Sequence, residues 1–285
     1  MPTESRRAAG APVRPKRSRT VVVLALVGVA VVVVVVVFAV MWQRSGAHRV
    51  STAEARRRYE QSSPSTEPAN PAVLRPVAGV YTYRGSGSEH LSVPPKEQAQ
   101  GPDTPGTVTH GADGCWTFRM DFSNQHWQTW IYCPRNRGLV ELGGTTFERW
   151  DFVFTKYDST STFTCAPASV TIRAGMHAGQ KWRQSCRGTS SGTKGVSVTS
   201  GPYTFVGDDT VVVSGTPVAA YRFRQVRTLS GSQSGHQTTD LWFARSDGLP
   251  LRNVRDVTVR TNTVVGSSTY TERGSFQVTS LQPQR

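Results

Sequence analysis

The chain has 285 residues, 37% of them hydrophobic, and carries 33 Lys plus Arg against 19 Asp plus Glu, a formal net charge of +14. Without a basic tail, one apolar run and a linker, about 210 residues remain, room for one all-β domain with a sizeable core. The basic excess favours anionic partners, but Arg outnumbers Lys 28 to 5, as in a GC-rich genome, so charge alone names no ligand.

Residues 1–19 are rich in Pro, Arg and Ala without apolar periodicity, which predicts a disordered, cytoplasmic tail. Val21–Trp42 then runs for 22 residues without a charge. As a helix of about 33 Å it spans a ~30 Å hydrocarbon core, so residues 20–42 are expected to be a transmembrane signal anchor. Its apolar core is too long for a cleaved signal peptide, and Phe38–Trp42 is too bulky for a small-x-small cleavage site. Six basic residues precede the span and five follow it closely, so the positive-inside rule does not orient it. The cysteines do. Cys115, Cys133, Cys165 and Cys186 all follow the span, even in number, widely spaced and without a CxxC pair, which reads as two disulfides in an oxidising space. The expected location is therefore the plasma membrane in a single pass, tail inside and C-terminal domain outside. That compartment excludes nucleic acid as a partner.

Ser51 and Glu54 form a capping-box pattern, which predicts a short juxtamembrane helix over about Thr52–Gln61. Its Arg56–Arg58 triplet is placed to meet anionic headgroups. The sequence from Ser62 to Pro76 is a Pro/Ser linker. From Val77 onward, short runs rich in Val, Thr, Tyr, Phe and Trp alternate with Gly, Ser, Asp and Pro, the pattern of antiparallel strands. Ala78–Arg84 is the first, ended by GSGS; Ser92–Pro105 reads as a loop.

Cys115–Cys133 reads as a hairpin turning at Asn124, with Cys115 opposite Cys133, Trp116 opposite Tyr132 and Phe118 opposite Trp130. Alternation then puts Trp116, Phe118, Met120, Phe122, Trp130 and Tyr132 on one face, the expected core. The cysteines share the other face with Thr117, Arg119, Thr129 and Ile131, and cross-strand spacing of ~4.5–5.5 Å lies near what a disulfide needs. Gly138–Gly143 and Thr145–Thr155 read as two strands about a Gly143–Gly144 turn. Cys165 and Cys186 bracket a second hairpin turning at AGMHAG, where a disulfide is expected to contribute ~3 kcal/mol. Val218–Leu229, Gln237–Arg245, Leu249–Val265 and Thr269–Leu281 form a four-strand meander with an Asp247–Gly248 turn. The expected fold is all-β and antiparallel, a strongly curved sheet or incompletely closed barrel over residues 77–285, preceded by one transmembrane helix.

Chemical motifs are thin. Gly188–Gly192 formally matches GxSxG but lacks the strand–turn–helix context of a nucleophile elbow. The histidines, His48, His90, His110, His126, His177 and His236, show no metal-ligand spacing, and His126 and His177 fall in predicted turns. Asp208–Asp209 reads as a turn. No catalytic, cofactor or metal residue is assigned. Arg222 and Arg224 share a strand face opposite Asp240, and with Trp242 they are the candidate ligand-facing residues.

At Cys165-Ala-Pro, Ala178–Trp182 and Cys186-Arg-Gly188, and again at Gly79–Tyr83, the chain resembles functionally uncharacterised single-span envelope proteins of actinobacteria. Leu241–Phe243 and Asp247–Arg252 look like the later strands of periplasmic lipoprotein carriers and related lipid-binding half-barrels, in which a curved sheet holds acyl chains on its concave face. Those carriers are cleaved and soluble or lipidated, whereas no lipobox cysteine follows this span. The resulting expectation is a non-enzymatic, membrane-tethered domain binding an apolar or anionic envelope ligand. The alternatives are a scaffold for another envelope protein and a cell-wall enzyme.

Overall fold

The structure is a computed structural model that describes residues 28–36, 46–62, 73–111, 113–152, 155–263 and 266–285. Residues 28–36 are helical; the rest of the expected tail and membrane span lies outside the described residues. Among the described residues no helix is long and apolar enough to cross a membrane. Ser45–Arg285 forms a unit of its own.

That unit opens with helix α1 (Thr52–Gln61), at the bounds the capping pattern gives; Ser51 Oγ accepts from the Glu54 N–H at 3.1 Å. Val50, Ala55 and Tyr59 pack on Ala78 and Val80 and so cover the outer face of the first strand. Arg58 reaches the buried Asp121 carboxylate at 3.3 Å, where Arg119 also pairs at 2.7 Å, and Arg56 pairs with Glu60 at 2.8 Å. Two members of the arginine triplet are thus spent on the protein itself. Part of the expected linker docks as well: the Trp116 indole donates to the Leu74 carbonyl at 3.0 Å.

Among the described residues thirteen strands follow: β1 (Gly79–Ser92), β2 (Pro95–Gln100), β3 (Asp103–His110), β4 (Trp116–Asp121), β5 (His126–Arg135), β6 (Gly138–Asp151), β7 (Lys156–Ile172), β8 (Lys181–Ser190), β9 (Thr193–Val213), β10 (Thr216–Gly231), β11 (Gln233–Ala244), β12 (Pro250–Thr263) and β13 (Gly266–Val278). β1 pairs antiparallel with both β2 and β3, consecutive strands from β3 to β13 pair antiparallel, and β13 returns to β1 in register from Tyr83↔Val278 to Leu91↔Tyr270. β2 and β3 lie end to end along β1 and share one place in the wall, so the sheet closes as a twelve-strand barrel. The expectation of incomplete closure is corrected here, because the last strand finds the first.

Four local expectations are corrected too, where a predicted turn or loop lies within a strand. β1 continues through GSGS: a Cβ on Gly85 would lie 1.9 Å from the Ser275 carbonyl oxygen, so glycine permits the close approach of β13. The predicted loop at Ser92–Pro105 holds β2 and the start of β3. Gly143–Gly144 is a bulge inside β6, with register shifts against both neighbours and φ +138° at Gly143, not a turn between two strands. Asp208–Asp209 likewise lies within β9, and Gly188–Ser190 within β8, with Ser191 in the turn that follows.

The cysteine hairpin is as expected. Trp116 faces Tyr132, Phe118 faces Trp130, and Cys115–Cys133 closes the open end from the outer face. Cys165–Cys186 also forms, and residues 173–180 make the turn. Ladder pairing between β7 and β8 stops beside that disulfide; beyond it, the Trp182 indole and the Gln184 amide both donate to the Val170 carbonyl at 2.6 Å. β10 to β13 form the predicted meander.

The inner face divides by strand position. Toward one end of the barrel, Tyr81, Tyr83, Val108, Trp116, Phe118, Met120, Phe122, Tyr132, Phe223, Phe243, Leu251, Phe276 and Val278 pack into one buried cluster. Toward the other end, the inward positions are mixed: Glu89, Gln100, His126, Gln128, Thr146, Glu148, Gln237, Thr239, Arg255 and Glu272 stand among Leu91, Val257 and the packed rings of Trp150 and Tyr270.

Candidate functional site

The outer face of the meander carries a pocket of about 490 Å³, within the range of small-molecule sites, lined among others by Asp209, Arg222, Asp240, Trp242, Arg252 and Gln277. Two bulges shape it, at Arg222/Phe223 between β9 and β10 and at Trp242/Phe243 between β11 and β12. Bulges re-aim side chains, and here they bring Arg222 and Arg252 over the Trp242 ring, at 5.0 and 4.9 Å from its centroid. The indole N–H donates to Asp209 at 2.8 Å; that bond, with the Thr210 backbone N–H and the nearby arginines, holds the Asp209 carboxyl below its usual range. Arg224 binds Asp240 through two nitrogens at 3.0 and 2.8 Å. Asp240 is thereby largely neutralised, while Arg222 comes no nearer to it than 3.9 Å. The pocket keeps two guanidinium groups against Asp209.

Of the residues singled out in the sequence, Arg222 and Trp242 meet in this pocket and Arg224 stands beside it. Strand alternation put the arginines on one face. Arg252 and Asp209 are additional members. Their membership depends on the bulges, which shift register in a way alternation does not foretell.

A second polar constellation lies inside the barrel. His126, expected in an exposed turn, is 1% exposed: its Nδ1 lies 2.7 Å from Glu89 and 3.1 Å from the Gln100 amide nitrogen, and its ring packs on Phe122. Gln100 donates to Glu89 at 2.7 Å and to Glu272 at 2.9 Å, and Arg255 pairs with Glu272 at 2.8 Å. Burial opposes a charged imidazole, but the Glu89 and Glu272 carboxylates outweigh it and push His126 up to about 9. Glu148, directly opposite His126 on β6, is pushed up to about 7 by burial and by Glu89 and Glu272, against the pull of His126 and Arg255. Glycines make room: a Cβ on Gly87 would lie 2.4 Å from Gln100 Oε1.

The remaining candidates resolve simply. His177 sits exposed in the β7–β8 turn. The groupings with metal-ligand proximity among the described residues, Asp113 with Cys115 and Cys133 and Glu141 with Cys165 and Cys186, have their thiols committed to disulfides.

No protein-family model matches the chain. No curated protein matches it either. One solved structure with a related outline is the hypothetical lipoprotein YmcC of Escherichia coli, 9% identical over 82% of this chain and 100% of that one, with a TM-score of 0.32. A likeness at that score carries no argument, so fold and site rest on the geometry above.

Proposed function

We propose that the barrel is a non-enzymatic, membrane-tethered binding domain, displayed outside the cell, whose outer pocket takes an anionic envelope ligand. The observation that carries this is the pair of arginines held over Trp242. Guanidinium forks match carboxylate and phosphate oxygens, and a flat indole beneath them holds the forks in place. The pairing of Asp240 with Arg224 favours a net attraction for anions at Arg222 and Arg252. An acyl ligand on the concave face is not part of this reading, because aromatic and aliphatic side chains of the barrel itself fill that half of the interior.

The test is binding of polyphosphate and poly-glutamate, as phosphate and carboxylate probes, to the full-length protein in detergent. Saturable binding is expected, weakening with salt and falling about tenfold or more in an Arg222→Ala/Arg252→Ala double variant. Equal binding by the double variant would remove the pocket from the function. Recovery of a tightly held protein partner instead of anion binding would favour the scaffolding alternative.

A further inference from the structure

We propose that one rim of the barrel, the end that carries the β1–β2, β4–β5, β6–β7 and β8–β9 connections, rests on the surface of an anionic lipid bilayer. This rests on the membrane-tethered reading above: a span in residues 20–42 brings the bilayer, and the way the chain enters the barrel selects the end that meets it.

Strands alternate in direction around the wall, so these connections share one end, and the β3–β4, β5–β6, β7–β8, β9–β10 and β11–β12 connections share the other. The chain enters the barrel unit at the first end. The His48 N–H donates to Asn124 Oδ1 at 2.7 Å, and the Asn124 N–H donates back to the His48 carbonyl at 2.9 Å. Asn124 stands in the β4–β5 turn. Two residues earlier, Gly46 lies so close to Asp151, the last residue of β6, and to Gln125 that a Cβ there would collide with both side chains. Between Gly46 and Trp42, where the apolar run ends, the sequence has Gln43, Arg44 and Ser45. That length of chain reaches at most about 14 Å. The 12 residues of β11 alone rise roughly 30 Å along the barrel axis at ~40° tilt. So short a tether holds this rim at the membrane and the opposite end away from it.

The chemistry of the rim suits an interface. Val93, in the β1–β2 turn, is 48% exposed and Tyr157, at the start of β7, is 43% exposed. Pro94 and Phe152 are half-exposed beside them in the same two connections. The Tyr157 hydroxyl donates to the Gly192 carbonyl at 3.1 Å and so ties the β6–β7 tip to the β8–β9 turn. Tyrosine, apolar in its ring and polar at its tip, favours the level where acyl chains meet headgroups. Lys156 and Lys194 are exposed at the same two tips. The carboxylates near them are taken, Asp158 by Arg149 at 2.6 Å and Asp151 by the Gln125 amide at 2.6 Å. Lysines left so draw anionic headgroups. Val212 and Leu281 are exposed too, but toward the other end, beyond the reach of the tether. One consequence bears on the outer pocket. Trp242 stands nine residues down β11 from Gln233, roughly 20 Å from this rim, so the pocket faces away from the bilayer and takes its anion from the far side rather than from headgroups.

The experiment uses the full-length protein in nanodiscs of phosphatidylcholine mixed with phosphatidylglycerol, doped with a lipid that carries a diazirine close to its headgroup. After irradiation, mass spectrometry maps the cross-linked peptides. Peptides holding Val93, Tyr157 or Lys194 are expected to carry about tenfold more cross-links than those holding His177 or Asp247 at the opposite end, or Arg222 and Arg252 of the outer pocket. A Lys156→Glu/Lys194→Glu variant is expected to lose rim cross-links severalfold in these discs and little in discs of phosphatidylcholine alone. Alkaline carbonate separates the two ways of failing. If it strips the wild-type protein from vesicles, the membrane-tethered reading falls and this inference with it. If the protein resists carbonate but its cross-links fall equally on both ends, or mainly on the opposite end or the outer wall, the rim inference alone is overturned. The wild-type map decides the matter even if the variant does not fold.

Discussion

His126 and Glu148 face one another across β5 and β6, and both hold their protons more tightly in the folded protein than in an open chain. The sign of the pH effect follows. His126, raised from 6.5 to about 9, contributes stability that is complete below pH 6.5 and lost as pH rises through 9. Glu148, raised from 4.5 to about 7, imposes a cost that grows between those values as its carboxyl ionises in the fold. The groups facing them from neighbouring strands are Glu89, Glu272 and Arg255. Glu272 is lowered by Arg255 and His126 against the opposing effect of burial, so its own loss of stability lies at acid pH. Thermal stability is therefore expected to fall from pH 5 to pH 9, by up to about 3 kcal/mol from each of the two groups. Glu148→Gln should flatten the lower part of that slope and His126→Gln the upper part, as read by melting curves across the range. A slope of opposite sign would show that the cluster is not charged in this way. None of this was legible in the chain, because His126 meets Glu89 and Glu272 only once the barrel closes, and its neighbours Ser123, Asn124 and Gln125 look like any exposed turn.

Elements were legible wherever a local pattern decided the outcome. Ser51 and Glu54 marked the start of α1, and alternation through Trp116, Phe118 and Met120 against Tyr132 and Trp130 set the cysteine hairpin to the residue. Patterns failed where a residue served a distant neighbour. Gly85 and Gly87 look like punctuation but admit β13 and the Gln100 side chain, and Gly143 looks like a turn but admits the Phe163 carbonyl of β7. The hairpin disulfide closes a loop of 18 residues, so replacing Cys115 and Cys133 by serine is expected to cost ~3 kcal/mol, seen as a lower melting temperature with the fold retained. Helix α1 offers a sharper contrast. Asp121, 1% exposed at its side chain, is the point where Arg58 of the helix and Arg119 of β4 converge. Asp121→Ala leaves both cations without their carboxylate and is expected to cost about 3 kcal/mol or more, whereas Arg58→Ala, half exposed, should cost about 1. Chemical denaturation of the two variants distinguishes them; equal losses would mean that the Arg58 contact accounts for the whole contribution of that carboxylate.

For the molecule as a whole the decisive contact is the seam between β1 and β13, strands nearly two hundred residues apart in the chain. Every other neighbour in the wall is local, which is why the sequence suggested a curved sheet and left its closure open. Closure does three things at once: it removes two free sheet edges, sets the barrel radius, and brings Glu272 and Arg255 from the last strands against Glu89 and His126 from the first. Both the aromatic cluster and the polar constellation thus draw residues from the two ends of the chain, Tyr83 with Phe276 and Val278 in one, Glu89 with Glu272 in the other. Damage at the seam should therefore spread through the whole interior. Gly85→Val tests this, since its Cβ would fall 1.9 Å from the Ser275 carbonyl oxygen, a backbone atom that cannot swing aside. The expected result is a loss of several kcal/mol, with tryptophan fluorescence and far-UV circular dichroism falling in one coincident transition. Leu91→Ala, nearer the rim of the same strand, should shift that transition by much less. Two separated transitions in the valine variant, with the meander of β10 to β13 surviving the rest, would mean that the barrel is held by its local hairpins and that closure adds little.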